Sequence, residues 1–429
     1  MASEDARYRQ STQYRLWSFS PAQLASTREK TNALARANIS ETLASKQSSS
    51  SSSNGGNLTA ALSAPASGAN TPDPPSQRHN PSTPAVPEFL TPAEELQLLN
   101  FFMVELIRAC NFLELRTDMR ATAAVFLRRF YVTNSIMTYP PTEMLKTCLF
   151  FGCKAEGHYP NAAKFAEQFP QTTGEQILAG EFLLCQGLRF AFDVKHPFRA
   201  LEGAIMELRR YGDIDDKRIS SAHSRAREIL KFSPLVTDVY FHYTPSQIML
   251  AALSLADREL AERVIHETFH HHHHDPAAEQ TKETNRKGSA AAAAGEQRAS
   301  RLIGVEMRDR VAGVVASCRE ILAREPPERL TAYWGAPESQ QITRPLLRKL
   351  KKCRDPDRWD LVAYQNAKRE QARQKDEDAA AARGGEHAQR GRRASLDGGG
   401  DGAVFGDVHE RDVKRRKVAK TEDPFGGPL

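Results

Sequence analysis

The sequence predicts an all-α protein built from two successive helical units. Three observations carry that prediction. Helix starts of the Ser/Thr-x-x-Glu/Gln kind recur, several of them with proline at the first helical position. Apolar residues between them repeat with helical spacing, and no convincing alternating strand pattern interrupts them. The 429 residues, with 59 basic and 53 acidic side chains, also leave room for long polar stretches outside any core.

Taken in order, residues 1–36 form an N-terminal helical region in which Ser20-Pro21 opens a helix over 20–36. Serine caps well there and proline suits the first turn. Residues 37–90 are a Ser/Pro-rich stretch that cannot bury a core, so they are expected to be a disordered linker. Order returns at Thr91-Pro92-Ala93-Glu94, a capping box ahead of LQLLNFFMVELIRAC. A second helix starts near Thr117-Asp118, a third after Pro140-Pro141, and a short fourth covers NAAKFAEQF. Thr173-Gly174-Glu175-Gln176 caps a fifth, read as continuous through ILAGEFLLCQGLRF. These five make one unit over 91–194.

A second unit spans 195–325 and repeats the rhythm. Pro197 opens FRALEGAIMELRRYG, followed by SSAHSRAREILKF and SPLVTDVYFHY. Thr244-Pro245-Ser246-Gln247 caps IMLAALSLADREL. A low-complexity insert over 270–300 contains His270 to His274 and Ala290 to Ala294. After it, Val311, Val314, Val315, Cys318, Ile321 and Leu322 fall on one stripe of a core-facing helix. Pro326-Pro327 ends that helix. Residues 326–375 hold a basic amphipathic helical segment, and 376–429 read as a disordered basic tail.

Several function classes are excluded. No apolar run suits a secretory leader or a membrane span, so no membrane association is expected. The six cysteines form no CxxC pair, which argues against a zinc ribbon and for a reduced, intracellular protein. No phosphate loop, HExxH or GxSxG is present, so no catalytic residues, cofactor or metal are expected. The polyhistidine beside polyalanine is compositional rather than a metal site. The net charge of +6 is too mild for a dedicated nucleic-acid binder, and no direct nucleic-acid contact is expected.

Two charges border apolar helical faces. Lys154 ends the apolar run LFFGCK, where a lysine complements the helix dipole. Glu181 lies in the stripe Ile177, Glu181, Leu184, Leu188, where a carboxylate needs a local partner in Lys154 or Arg189, a solvated rim position, or a partner on another chain.

At these residues the chain resembles the cyclins, and most closely the cyclin H family. AAVFLRRFYVTNSIMTYPPTEMLKTCLFFGCKAEGHY is similar to that family's second and third cyclin-box helices. EQILAGEFLLCQGLRFAFDVKHPFRALEG resembles its fifth helix and the beginning of the second repeat, and VYFHYTPSQIMLAAL the third helix of that repeat. YRLWSFSPAQLASTREKTN resembles the helix that precedes the box. The resemblance implies tandem five-helix cyclin-box repeats with flanking N- and C-terminal helices, and no catalysis of their own. It implies a cyclin-dependent kinase of the CDK-activating type as partner, with a RING-finger assembly subunit and the TFIIH core, in the nucleus. The polymerase II C-terminal repeats and the activation loops of other cyclin-dependent kinases are the implied targets. Cyclin C of the Mediator kinase is the neighbouring alternative.

The same resemblance implies that Lys154 and Glu181 hydrogen-bond the kinase near its movable C-helix, with Glu156 in an acidic position beside the lysine. MRATA at 119–123 falls on the second helix, so the substrate-recruiting patch of cell-cycle cyclins is not expected. Arg128 stands where those cyclins carry an aspartate. In the tail, Lys414, Arg415, Arg416 and Lys417 read as a nuclear-localisation cluster. Ser395, in RRASL, is a candidate phosphosite for a basophilic kinase.

Overall fold

The computed structural model describes residues 4–52, 87–271, 290–324 and 337–394. Every regular element among them is a helix.

The first repeat is built around α5 (Thr117–Thr133), preceded by α4 (Pro92–Phe112) and followed by α6 (Pro141–Ala155) and α7 (Ala162–Ala166). From Ala121 to Val132 every residue of α5 is buried, the mark of a helix enclosed on all sides. α6 crosses it closely at Gly152, where a Cβ would lie 2.9 Å from that of Ala123. The fifth predicted helix is two helices, α8 (Gly174–Ala179) and α9 (Glu181–Gly187). The cause lies on α6. The Thr147 hydroxyl donates to the Ile177 carbonyl at 3.1 Å, the carbonyl that would otherwise accept from the amide four residues on. Thr147 presses so close to Gly180 that a Cβ there would meet its Oγ1 at 2.6 Å.

The second repeat comprises α10 (Phe198–Tyr211), α11 (Asp216–Leu230), the single turns α12 (Ser233–Val236) and α13 (Val239–His242), α14 (Pro245–Ala256), α15 (Arg258–His271) and α16 (Ala290–Arg324). Ile248 to Leu253 of α14 are buried at every position, so α14 is the enclosed helix here. The expected helix over 245–260 is interrupted at Asp257, which leaves the helical backbone and accepts from the Leu260 amide, starting α15. α16 begins inside the expected insert, at Ala290, as the high helix propensity of alanine favours. Its stripe is as read, with Val315, Cys318 and Leu322 buried. The three capping boxes read from the sequence form, Thr91 with Glu94, Thr173 with Gln176 and Thr244 with Gln247, and Ser20 pairs with Gln23 in the same way. Each supplies about 1 kcal/mol by satisfying otherwise orphaned amides.

Three flanking pieces differ from expectation. At the N-terminus, α1 (Glu4–Gln10) and α2 (Thr12–Trp17) precede α3 (Pro21–Ser52), which runs well past residue 36 into the expected linker. Ala35, Ile39 and Leu43 recur at every fourth position and carry its apolar face onto the core. The C-terminal segment is two helices, α17 (Pro337–Cys353) and α18 (Leu361–Ala394). Asp355 separates them, accepting from the amides of Asp357 and Arg358 while its own amide donates to Met137. α18 continues to Ala394, beyond the expected helical limit at 375. Within the described residues, 369–394 group as a unit apart from residues 1–368.

The N-terminal helices fasten the two repeats. Gln13 accepts from the Lys195 amide at 2.6 Å in the linker between them. Trp17, Leu24, Val132 and Phe241 form a small core of their own. Arg28 of α3 and Arg128 of α5 both reach Asp238, between α12 and α13.

Candidate functional site

Lys154 occupies the last turn of α6, and Glu181 the first turn of α9. Each charge therefore complements the dipole of its own helix. The break at Gly180 turns α9 so that its beginning faces the end of α6, and Lys154 Nζ donates to Glu181 Oε1. The pair is neither buried nor free in water, with side chains 32% and 20% exposed. The ammonium also lies 5.4 Å from the ring centre of Phe150 and 5.8 Å from that of Phe151. Aromatic faces on one side and a carboxylate on the other hold the lysine head in place.

The surroundings are apolar and uncovered. Leu178, at the end of α8, is 47% exposed and Phe182, at the beginning of α9 beside Glu181, is 59% exposed. Ile177, Leu184 and Leu188 do pack inward, as the stripe reading expects. The second, parallel row of Leu178 and Phe182 was missed. Its signal is in the sequence, since two large apolar residues four apart widen the stripe beyond what one core contact needs. Arg189, the other local candidate for Glu181, has φ of 53° and lies over Trp17 at 5.7 Å instead.

Glu156 stands two residues beyond Lys154 and is half-buried. It follows α6 as its C-cap, and its carboxylate accepts from the buried Thr122 hydroxyl of α5. Thr122 Oγ1 lies 2.8 Å from His196 Nε2, and His196 Nδ1 lies 2.9 Å from the Tyr240 hydroxyl. With the Thr122 proton committed to Glu156, Nε2 is the protonated ring nitrogen and Nδ1 accepts from Tyr240. Desolvation, with Arg129 nearby, pushes the His196 pKa down to about 3. The ring stays neutral at physiological pH, and the chain Glu156–Thr122–His196–Tyr240 ties the end of α6 to the second repeat. Nothing in the sequence pattern pointed to Thr122 or His196.

MRATA is buried except near Arg120, within α5. No described group of three or more His, Cys, Asp or Glu side chains is suited to a metal, and no described helix is long and apolar enough to cross a membrane. Ser395 and the run Lys414 to Lys417 lie outside the described residues.

With this geometry in view, residues 196–323 match the family described as the cyclin C-terminal domain. The cyclin CCL1 of Saccharomyces cerevisiae is 32% identical over 269 residues, covering 62% of this chain and 62% of that protein. The cyclin mcs2 of Schizosaccharomyces pombe is 30% identical over 248 residues, covering 58% of this chain and 68% of that one. The chain thus spans a little under two thirds of the length of the first relative. Among solved structures, a chain of the CAK complex of Chaetomium thermophilum bound to ATP-γ-S is 50% identical, with a TM-score of 0.69. That match covers 87% of this chain and 96% of the other.

Proposed function

The chain belongs to the cyclin H family, and we propose that it is the regulatory subunit of a CDK-activating kinase. It binds a cyclin-dependent kinase through the face around Lys154 and Glu181 and favours the kinase's active state. The observation that carries this reading is the Lys154–Glu181 pair, held at the meeting of two helix ends and bordered by exposed Leu178 and Phe182. A fixed pair of charges beside uncovered apolar side chains suits a partner helix, with apolar contacts giving affinity and charges giving register.

The mechanism is conformational. A kinase is active when its C-helix glutamate pairs with the lysine that binds ATP. A cyclin that binds this arrangement better than the inactive one shifts the population toward it. The cyclin itself contributes no catalytic group. Following the family, the complex includes a RING-finger assembly subunit and the TFIIH core, acts on the polymerase II C-terminal repeats and on activation loops of other cyclin-dependent kinases, and is nuclear. The run Lys414-Arg415-Arg416-Lys417 supports the last point, and Ser395 is a modification site in the same tail.

The test is to reconstitute the kinase with this chain and measure phosphorylation of polymerase C-terminal repeats. The Lys154→Ala, Glu181→Ala variant is expected to lose about 5- to 150-fold of the activation, the range of a typical allosteric coupling. Activation equal to that of the unmodified chain overturns the assignment of this face. A fluorescent fusion carrying glutamines at 414–417 is expected to leave the nucleus when expressed without its partners.

A further inference from the structure

Helix α17 has a charge distribution that the fold does not use. Residues 337–354 contain six cations and a single anion, Glu338. One side of the helix is anchored, with Thr343, Leu346, Leu350 and Cys353 buried. Lys349 is turned toward the body, where it bridges Glu88 at 2.7 Å and Glu94 at 3.0 Å. Arg354 lies over Trp359 at 5.6 Å. That leaves Arg344, Arg348, Lys351 and Lys352 at i, i+4, i+7 and i+8, all exposed. Arg344 bonds the neutral Gln340, and none of the four forms an ion pair with a described residue. Several other surface arginines are matched: Arg218 holds Asp257 and Glu259, Arg209 holds Asp216, and Arg263 holds Asp213 and Glu267.

Like charges one turn apart weaken a helix, and opposite charges from another chain relieve that cost. The row runs for about 12 Å along the helix, with Pro345 in the turn between Arg344 and Arg348. Its donors are strung out rather than converging on one point, which fits a line of carboxylates better than a single phosphate. Single-stranded nucleic acids need exposed aromatic faces for stacking, and the nearby Trp359 is covered by Arg354. Ile342, 45% exposed, lies about 160° around the helix from Arg344 and does not border the row, so the contact this face offers is ionic.

We propose that the outer face of α17 docks an acidic amphipathic helix of a partner protein, its Asp and Glu side chains set against Arg344, Arg348, Lys351 and Lys352. This surface is separate from the Lys154–Glu181 site and does not depend on the reading of that site.

The test uses the full chain and a labelled helical peptide with glutamates on one face at four-residue spacing, followed by fluorescence anisotropy near physiological salt. Two further probes are a scrambled peptide of the same composition and an oligo-dT. The structured peptide is expected to bind at least about tenfold more tightly than the scrambled one. R344Q/R348Q/K351Q/K352Q is expected to abolish that preference, whereas K30Q/K164Q/R199Q/K217Q, which removes equal charge from other exposed positions, keeps it. Kinase activation is expected to survive the α17 replacements. Equal binding of structured and scrambled peptides, equal binding by both variants, or a preference of the same four residues for oligo-dT overturns the proposal.

Discussion

Replacing Asp238 tests how the two repeats are joined. Its carboxylate receives a bidentate pair of bonds from Arg28, at 2.8 and 2.7 Å, and one from Arg128 at 2.8 Å. Arg128 is only 4% exposed and also donates to Asn100 and to the Val236 carbonyl. The three charged residues come from α3, from α5 and from the junction of α12 and α13. In Asp238→Ala the Arg128 guanidinium stays in the interior and loses the carboxylate that faces it. Removing one member of a buried ion pair costs about 3–5 kcal/mol, mostly from the charge left behind. Arg28→Ala leaves Arg128 and Asp238 together and removes a more solvated partner, so its cost is about 1–2 kcal/mol. Urea unfolding of the single and double variants measures both costs and their coupling. A cost below about 1 kcal/mol for Asp238→Ala, or full additivity with Arg28→Ala, refutes the reasoning.

The two arginines hold the Asp238 pKa well below the usual carboxylate range, although desolvation opposes them. A carboxylate depressed in the folded state contributes stability that is complete above its unfolded pKa of about 3.9 and is lost as pH falls through the folded value. The ordinary chain therefore loses this contribution only in strong acid, and Asp238→Asn has lost it already at neutral pH.

Three further outcomes follow from the same geometry. His196, with its pKa near 3 in the folded chain, leaves the unfolded state binding the extra proton between that value and about 6.5, so stability falls as pH drops through this window. His196→Gln is expected to flatten that slope in urea midpoints measured against pH. Thr122→Val keeps the shape but removes the hydroxyl shared by Glu156 and His196, at a cost of about 1–3 kcal/mol read from thermal unfolding. Phe182→Ala, at a position already 59% exposed, is expected to leave the melting temperature unchanged and to weaken kinase binding about tenfold in calorimetric titration.

What the sequence disclosed is local. Capping boxes at Thr91, Thr173 and Thr244 involve residues three apart, so they are legible without the fold. The enclosed helix α14 announces itself as an apolar run behind such a cap, and α5 as an apolar run alone, since its N-cap Arg116 makes no side-chain bond. The break at Gly180 was not legible, because it is imposed by Thr147 from another helix. The length of α3 was hidden for a related reason: its polar composition suggests a linker, and only the distant core explains why Ile39 and Leu43 hold it helical. Glu156 shows the same limit at the site. The resemblance set it beside Lys154, but the bond it accepts from Thr122 of α5 depends on the packing of two helices and could not be read from the sequence.

Lys154 and Glu181 satisfy each other in the free chain, so their pairing alone does not separate a structural role from a docking one. Exchange of the charges does. Lys154→Glu with Glu181→Lys retains an ion pair at the same two helix ends, although each charge then opposes its own helix dipole at a cost of about 0.3–1 kcal/mol. If the pair serves only to fasten α6 to α9, the exchanged chain folds with that small loss and activates the kinase normally. If the kinase reads the charges, a carboxylate replaces the donor and an ammonium the acceptor, and both contacts become repulsive together. Activation is then lost while the fold persists, an outcome read by pairing the phosphorylation assay with thermal unfolding of the same protein. The docking role predicts this separation, and normal activation by the exchanged chain would contradict it.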